Sequence, residues 1–234
     1  MLKMEPFSLK ELLDAVDGRL DNASAMNFQP EAEFSGVTTD SRKVNEGDLF
    51  FALKGENFNG HDFINEVLNK GAKGVVVNSG FRSSGFESIN SHSLYRDTKP
   101  ENLKHQSTLP GCFIQVADTT RALGDLAGYY RRKMPAKIIA ITGSNGKTTT
   151  KDMIYHLLSK KFKTVKSRAS FNNFIGVPLT IFELNKDHEF GVVEMGTNAF
   201  GEINRLSEIG APDIVVITNV AETHLDGLKN VAGV

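Results

Sequence analysis

The sequence predicts an α/β protein in which a small mixed α/β domain is followed by a domain built on a mostly parallel sheet. Three observations lead to this prediction. Apolar runs typical of buried strands alternate with amphipathic segments typical of helices. One of these runs, at residues 137 to 142, breaks into a glycine turn that leads into a helix start. The composition, with 40% hydrophobic and 24% charged residues, is ordinary for a globular protein.

Composition and charge exclude several classes of protein. The formal net charge of −1 gives no electrostatic reason to expect nucleic acid or an anionic membrane as a partner. The single cysteine, Cys112, excludes an intrachain disulfide and a thiolate metal cluster, and we expect it to be a small buried hydrophobe. The sequence has neither a basic leader with a long apolar run nor an apolar stretch of about 18 residues. We therefore expect a cytoplasmic protein.

The first elements follow from capping signals and from strand patterns. Residues 8 to 17 are predicted to be helical, because Ser8 can cap the start and Glu11 stands at the capping-box position. Short strands are predicted at 34 to 38 and 48 to 53, a helix at 61 to 70 and a buried strand at 74 to 77. This order is typical of βαβ units.

Residues 79 to 110 have a different character, since serine, glycine and proline accumulate there and apolar periodicity disappears. We predict an exposed insertion. Its histidines, His92 and His105, have no carboxylate or thiol at ligand spacing, which favours a solvated loop over a metal site.

A strand at 113 to 116 and a helix at 118 to 133, with Asp118 as N-cap, are predicted to complete the first domain. The helix ends at Met134, because the residue before a proline is pushed out of the α region. We place the domain boundary there, so that the first domain is 1 to 135 and the second is 136 to 234.

The second domain alternates regularly between strands and helices. Strands are predicted at 138 to 142, 164 to 166, 192 to 194 and 214 to 218, and helices at 147 to 161, 177 to 184 and 201 to 209. Strands this apolar predict a parallel sheet covered on both faces. Thr142, Glu194 and Thr218 each end a strand, so we expect them to meet in one crevice.

The glycine turn after Thr142 has the layout of a phosphate cradle. The small residues Gly143, Ser144 and Gly146 can free backbone N–H groups for phosphate oxygens at the positive end of the following helix. Lys147 would reach the phosphates. The common motif G-x-x-x-x-G-K-[ST] has a glycine where this chain has Ile141, so the loop must turn on Gly143. The alternative is a plain strand–turn–helix junction.

The helix after this loop is predicted from one apolar stripe. Met153, Ile154, Leu157 and Leu158 form that stripe, and Lys151, Asp152, Lys160 and Lys161 fall on the polar side.

Polar residues near the strand ends are candidates for chemistry. Glu194 is a candidate Mg²⁺ ligand with the Thr148 hydroxyl, since hard cations prefer oxygen, although it could also be a surface glutamate at a strand end. His224 follows the last predicted strand and would lie in the same crevice. Asn172 and Asn173 could donate amide hydrogen bonds to phosphate or carboxylate oxygens, or could be turn residues without further function.

Five ordered motifs together resemble those of the Mur ligases of peptidoglycan synthesis. They are GVTTDSRKVNEGDLFFALKGENFNGHDFI, ITGSNGKTTTKDMI, SFNNFIGVPLTIFEL, VVEMGTNAFGEI and VVITNVAETHLDG. The string EMGTNAFGEI is closest to the members that add D-alanyl-D-alanine. The resemblance covers nearly the whole chain apart from residues 79 to 110.

The resemblance implies ATP-driven amide formation. We also expect a monomer that binds no nucleic acid and does not insert into a membrane. ATP would phosphorylate the terminal carboxylate of UDP-N-acetylmuramoyl-tripeptide, and the amine of D-alanyl-D-alanine would attack the acyl phosphate. Lys147 and Mg²⁺ would neutralise charge between the two anions. The first domain would bind the UDP-linked substrate and the second would bind ATP.

Residue roles follow from the same resemblance. Lys147, Asn173 and His224 would be catalytic, and Thr148, Glu194 and His224 would hold magnesium. ATP would be bound by Gly143, Ser144, Asn145, Gly146, Lys147, Thr148 and Thr149, and the UDP moiety by Thr39, Asp40, Ser41, Arg42, Lys54 and Gly55. Arg42 could instead form a structural ion pair with Asp40 or Asp48.

Members of the family continue beyond the point that corresponds to Val234, with a carbamylated lysine and a third domain. We therefore expect this chain to be a fragment with an incomplete active site that binds UDP-substrate more readily than it catalyses. A non-catalytic nucleotide or UDP-sugar binder, another Mur-type amide ligase and an unrelated P-loop ATPase are the alternative functions.

Overall fold

The computed structural model describes residues 4 to 21, 28 to 56, 58 to 81, 111 to 169 and 171 to 221. The chain divides into two compact units. The first unit is Phe7–Thr119, and the second unit combines Met1–Pro6 with Thr120–Val234.

The first unit is built on a five-stranded sheet with the strand order β2-β7-β6-β5-β4. Strand β2 pairs antiparallel with β7, and the other neighbours are parallel. Strands β1 and β3 form a separate antiparallel pair in which Phe7 lies opposite Phe34. The strands are β1 Phe7–Ser8, β2 Arg19–Leu20, β3 Glu33–Phe34, β4 Gly36–Thr38, β5 Asp48–Phe51, β6 Gly74–Asn78 and β7 Cys112–Val116.

Two predictions in this unit can be compared directly with the structure. The capping box of helix α1 (Leu9–Val16) is confirmed, because Ser8 Oγ accepts from Glu11 N and the Glu11 carboxylate accepts from Ser8 N. The single strand predicted at 34 to 38 is wrong. This segment forms two strands, because β3 pairs with β1 and β4 pairs with β5. Between them, the Ser35 amide donates to Gly47 O.

The core of the first unit lies between the sheet and helix α2 (Ile64–Asn69), which follows the 3₁₀ turn Gly60–Phe63. Ile64, Val67 and Leu68 of the helix are buried against Phe50 and Val75 of the sheet. Cys112 is also buried, which confirms the prediction that it is a small buried hydrophobe. Burial raises the pKa of its thiol to about 12.

The second unit is built on a four-stranded parallel sheet with the order β11-β8-β10-β9. Its strands are β8 Lys137–Thr142, β9 Thr164–Lys166, β10 Phe190–Glu194 and β11 Ile214–Ile217. Its helices are α3 Thr119–Lys133, α4 Lys147–Leu158, α5 Gly176–Ile181 and α6 Glu202–Gly210. The predicted mostly parallel sheet is confirmed. Helix α3 packs with this unit, whereas the predicted boundary placed it in the first domain; the assignment of functional domains stays a prediction.

Arg131 ties the end of α3 to the start of β11. Its buried guanidinium donates to Gly210 O at 3.0 Å, to Met134 O at 3.2 Å and to the Asp213 carboxylate at 2.9 Å. The same carboxylate accepts from Ile138 N at 2.7 Å, so one ion pair joins a helix end to two neighbouring strands.

Two burial predictions for this unit are wrong. Strand β11 pairs with β8 at the edge of the sheet, and its side chains are exposed in the described part of the chain, with Ile217 at 62%. In helix α4, Met153 is 62% and Leu157 70% exposed, whereas Lys151, predicted on the polar side, is buried. The helix is rotated because the Lys151 ammonium pairs with a buried carboxylate of β10.

The described residues contain no helix that is both long enough and apolar enough to cross a membrane.

Candidate functional site

The loop between β8 and α4 turns on two glycines. Gly143 has φ of +125° and Gly146 has φ of +80°, both in the region that favours glycine. The prediction that the loop turns on Gly143 is confirmed. Helix α4 begins at Lys147, immediately after Gly146, so its first amides have no partner within the helix and point toward the loop.

The segment after β11 clamps this loop. Ser144 N donates to Asn219 O at 3.0 Å, and Asn145 N donates to Asn219 Oδ1 at 2.9 Å. The Ser144 hydroxyl donates to Ala221 O and accepts from Ala221 N, each at 2.9 Å. The amides of Ser144 and Asn145 are therefore engaged by protein. The first turn of α4 also presents amides at this loop, and the predicted role of Ser144 in binding ATP stays a prediction.

Lys147 lies folded over the loop. Its ammonium donates to Gly143 O at 2.5 Å and to Ser144 O at 3.2 Å. These carbonyls hold the positive charge at the mouth of the loop, next to the first turn of α4. A cation and helix N-terminal amides thus point at the same space, which is an arrangement suited to a phosphate.

Glu194 is the buried acid of the site. It ends β10 with 2% of its side chain exposed, so the alternative of a surface glutamate is wrong. Its Oε2 accepts from Thr148 Oγ1 at 3.0 Å and from Lys151 Nζ at 3.3 Å, and its Oε1 accepts from Asn172 Nδ2 at 3.1 Å. The predicted convergence of strand ends is confirmed, because Glu194 pairs with Ile141, the neighbour of Thr142, and Thr218 Oγ1 donates to Thr142 O at 3.2 Å. Sequence reasoning missed Lys151, although its spacing of one helical turn from Lys147 was a usable signal.

The two asparagines have different contacts. Asn172 binds Glu194 through its amide, and Gly196 N donates to Asn172 O at 2.8 Å. The Asn173 side-chain oxygen accepts from Ile175 N at 3.1 Å and from Gly176 N at 2.9 Å, which fixes the turn before α5. Asn173 therefore has a turn function in this structure, and its predicted catalytic role stays a prediction.

A pocket of about 140 Å³ opens beside Lys147. Its wall comes from the loop before α5, the loop after β10 and the first turns of α6; the lining residues are Lys147, Asn172, Asn173, Phe174, Gly196, Thr197, Asn198, Glu202 and Leu206. The Glu202 carboxylate accepts from Asn198 N and from Ala199 N, which holds the loop after β10 in place. The pocket thus joins the phosphate loop to the EMGTNAFGEI segment.

The candidate substrate residues of the first unit follow neighbouring parallel strands. Thr39, Asp40, Ser41 and Arg42 come after β4, and Lys54 and Gly55 come after β5. Because β4 and β5 are parallel neighbours, these residues lie at one edge of the sheet.

Arg42 pairs with Asp40 and not with Asp48. The contacts are bidentate, with Nε to Oδ1 at 2.8 Å and Nη2 to Oδ2 at 2.9 Å. Hydrogen bonding to Arg42 lowers the pKa of Asp40 to about 2. Asp48 instead accepts from Asn45 N at 2.8 Å. The Arg42 side chain is 83% exposed, so the ion pair leaves it accessible from solvent.

An open cleft of about 530 Å³ lies at the same edge of this sheet. It is lined by Lys54, Asn59, His61, Asp62, Asn78 and Phe81. His61 Nε2 accepts from Asn78 N at 3.3 Å, and its Nδ1 lies 2.9 Å from Asn59 Oδ1. Since Nε2 is an acceptor, Nδ1 carries the proton. Burial lowers the pKa of His61.

His224, the predicted catalytic and magnesium-binding histidine, lies outside the described residues, as do His92, His105 and residues 82 to 110 of the predicted insertion. The roles proposed for them stay predictions.

The second unit belongs to the class of P-loop α/β proteins, because a central parallel strand runs through a glycine turn into a helix that begins with Lys147 and Thr148. Comparison with known families then specifies the family. The profile described as "Mur ligase family, catalytic domain" matches residues 33 to 131, and "Mur ligase middle domain" matches residues 141 to 234. The chain belongs to the Mur ligase family.

Individual relatives agree with this assignment. The chain is 35% identical over 227 residues to the UDP-N-acetylmuramoyl-tripeptide–D-alanyl-D-alanine ligase of Bacillus subtilis, covering 97% of the chain and 44% of that protein. A crystal structure of MurF from Acinetobacter baumannii matches with 33% identity and a TM-score of 0.76, over 98% of this chain and 44% of that one.

A third relative has a nucleotide in its structure. MurF ligase from Thermotoga maritima in complex with ADP matches with 31% identity and a TM-score of 0.65, over 84% of this chain and 40% of that one. The chain thus spans less than half the length of the relatives that it matches.

Proposed function

We propose that this chain carries the UDP-substrate-binding and ATP-binding parts of a ligase that joins D-alanyl-D-alanine to UDP-N-acetylmuramoyl-tripeptide. The observation that carries the proposal is the buried Glu194 carboxylate, held 3.0 Å from the Thr148 hydroxyl at the first turn of α4. The Glu194 carboxylate, the Thr148 hydroxyl and the Lys147 ammonium then surround the proposed phosphate site. The names of the Bacillus subtilis and other matching relatives support the same reaction.

ATP would bind with its phosphates at the start of α4. Lys147 would exchange the carbonyls of Gly143 and Ser144 for phosphate oxygens, since both hydrogen bonds lie at the mouth of the loop. The amides of the first turn of α4 would donate to the same phosphates. Asn145, Gly146 and Thr149 complete the loop and the turn that present these donors. The ADP complex of the Thermotoga maritima relative supports an adenine nucleotide as the ligand.

The residues present fit a magnesium ion. Thr148 Oγ1 and both carboxylate oxygens of Glu194 lie beside the phosphate loop. Oxygen atoms of this kind are the metal ligands that Mg²⁺ prefers. Thr148 and Glu194 would hold the ion directly or through water, with His224 as the proposed ligand of a second ion. Bound magnesium would neutralise phosphate charge during transfer of the phosphoryl group.

The pocket beside Lys147 is the proposed place of amide formation. The terminal carboxylate of the UDP-linked tripeptide must reach the phosphate held by Lys147, and the amine of D-alanyl-D-alanine must then reach the acyl phosphate. Lys147 and Asn173 both line this pocket. The Lys147 ammonium and the Asn173 side-chain amide would orient the acyl phosphate oxygens.

The UDP moiety is proposed to bind at the edge of the first unit's sheet. Lys54 lines the cleft there, and the exposed Arg42 guanidinium is accessible to a diphosphate. Thr39, Ser41 and Gly55 would contribute backbone and hydroxyl contacts at the same edge. We further propose that the protein acts in the cytoplasm as a monomer and uses no nucleic acid.

Calorimetric titration of the 234-residue chain with MgADP tests the nucleotide site. Lys147→Ala should weaken binding by at least about tenfold, because a charge-assisted hydrogen bond contributes about 1.5–3 kcal/mol. Lys160→Ala, an exposed lysine beyond the end of the same helix, is the control and should bind like the unmodified chain.

Measurement of ADP release then tests the reaction itself. ADP formed only when UDP-N-acetylmuramoyl-tripeptide and D-alanyl-D-alanine are both present would support the ligase. Nucleotide binding without turnover is the result expected of a fragment with an incomplete active site. Hydrolysis independent of both substrates would favour an ATPase and would contradict the proposal.

A further inference from the structure

Lys151 is a buried charged side chain of the second unit that none of the predicted roles uses. It lies in α4 one helical turn after Lys147, and 1% of its side chain is exposed. Its ammonium donates to Glu194 Oε2 at 3.3 Å and to Ala169 O at 3.0 Å. Ala169 has φ of +41°, so the lysine also binds a residue in the left-handed region.

A buried lysine needs a reason beyond packing. Ordering its long side chain and removing its charge from water both oppose folding, and a buried ion pair is often no more stabilising than apolar residues of similar volume. The face of α4 that lies toward the sheet otherwise carries the half-buried Ile154, Tyr155 and Leu158. An apolar residue would therefore suit position 151 if packing alone mattered.

The contacts of Lys151 act on Glu194 in two ways. First, Lys151 and Thr148 on Oε2, together with Asn172 on Oε1, fix the carboxylate in one orientation. Second, the ammonium balances the carboxylate charge inside the protein. The proposed magnesium site is thus a neutral ion pair before any nucleotide binds.

We propose that Lys151 is a positioning residue for Glu194 whose charge makes binding of a divalent cation depend on the nucleotide. A neutral ion pair attracts a dication weakly, whereas triphosphate oxygens next to Thr148 and Glu194 supply the missing negative charge. The cation then binds together with the nucleotide and not ahead of it. This inference rests on the proposed function, because it takes the incoming anion to be ATP.

Titration of the 234-residue chain with Mn²⁺, followed by electron paramagnetic resonance of the free ion, measures this dependence. The unmodified chain should bind Mn²⁺ weakly alone and at least about tenfold more tightly with a non-hydrolysable ATP analogue. Lys151→Met removes the balancing charge, so it should bind Mn²⁺ without nucleotide at least about tenfold more tightly than the unmodified chain. Lys160→Met, exposed near the end of the same helix, should leave Mn²⁺ binding unchanged.

Two further variants separate positioning from a merely structural role. Lys151→Met with Glu194→Gln should lose the gained Mn²⁺ binding, since the carboxylate that attracts the ion is gone. Lys151→Arg keeps the charge and should retain weak binding in the absence of nucleotide. If Lys151→Met does not fold, Lys151→Arg and the unmodified chain still test the proposal.

Tight Mn²⁺ binding by the unmodified chain without nucleotide would overturn the inference, and so would a folded Lys151→Met that binds Mn²⁺ no better. Failure of the proposed function has a different signature. In that case the ATP analogue does not bind to the unmodified chain, while the comparison of Lys151→Met with the unmodified chain in Mn²⁺ alone still gives its result.

Discussion

Replacement of Gly143 by alanine is the sharpest test of the loop geometry. The backbone there has φ of +125°, which an alanine adopts at a cost of about 1–3 kcal/mol. The new Cβ would also stand 2.8 Å from Asn219 O and 3.0 Å from Asn219 N, and it would meet the Thr218 hydroxyl. Backbone atoms cannot rotate away, so either the loop or the segment after β11 must shift.

The backbone strain and the steric contact of the new Cβ add to give the expected loss of folding stability. Forcing atoms apart in a well-packed region costs about 1–3 kcal/mol, so Gly143→Ala should destabilise the chain by about 2–6 kcal/mol in total. This corresponds to a fall in Tm of roughly 4–24 °C. Binding of MgADP should weaken at least about tenfold, because the displaced loop no longer directs Lys147 and the first turn of α4 at the phosphates.

Gly201→Ala is the matched control. Gly201 also has a positive φ, of +87°, but a Cβ there would meet no atom within 4 Å. It should therefore cost only the backbone strain, about 1–2 kcal/mol, and leave nucleotide binding intact. Thermal unfolding and calorimetric titration of both variants measure the two effects. Equal losses of stability with equal nucleotide affinity in the two variants would refute the argument that contact with Asn219 shapes the loop.

Two further predictions concern stability. His61 is neutral in the folded chain, and burial lowers its pKa below the unfolded value of about 6.5. Its contribution to folding stability is therefore complete above a pH of about 6.5 and is lost as the pH falls below that value. The Tm difference between the unmodified chain and His61→Gln should thus shrink from pH 7.5 to 5.5, values about one unit either side of that pKa. A Tm difference that stays constant with pH would contradict the assignment. Arg131→Met should cost about 1–3 kcal/mol in urea unfolding, because the carbonyls of Gly210 and Met134 lose a hydrogen-bond donor and Asp213 loses its ion-pair partner; a loss equal to that of the exposed Arg132→Met would show that these contacts contribute nothing.

The sequence was sufficient for features that depend on neighbouring residues. The capping box at Ser8 and Glu11 is one example, and the turn on Gly143 is another, since each is set within a few residues of the chain. Parallel strand order also followed from apolar runs separated by helices. The resulting prediction that Glu194 meets Thr148 at the strand ends needed only topology.

Features that depend on distant residues were missed. The orientation of α4 was predicted from its own apolar residues, but the Lys151 ammonium turns toward Glu194, which lies 43 positions further along the chain. Hydrophobic periodicity cannot identify such a pair, because it counts every lysine as polar surface. The exposure of β11 was missed for a similar reason, since the apolar run Ile214–Ile217 carries no information on which of its edges is paired.

The clamp on the phosphate loop has a consequence for folding. Ser144 and Asn145 are held by residues 74 to 77 positions further along the chain, so the loop reaches its final shape only after β11 has docked on β8. Contacts of such long sequence separation form late. A ligand that binds only the finished loop must then stabilise the docked strand by mass action. Hydrogen exchange at the amides of β11, an exposed strand, would thus slow when nucleotide binds to the loop.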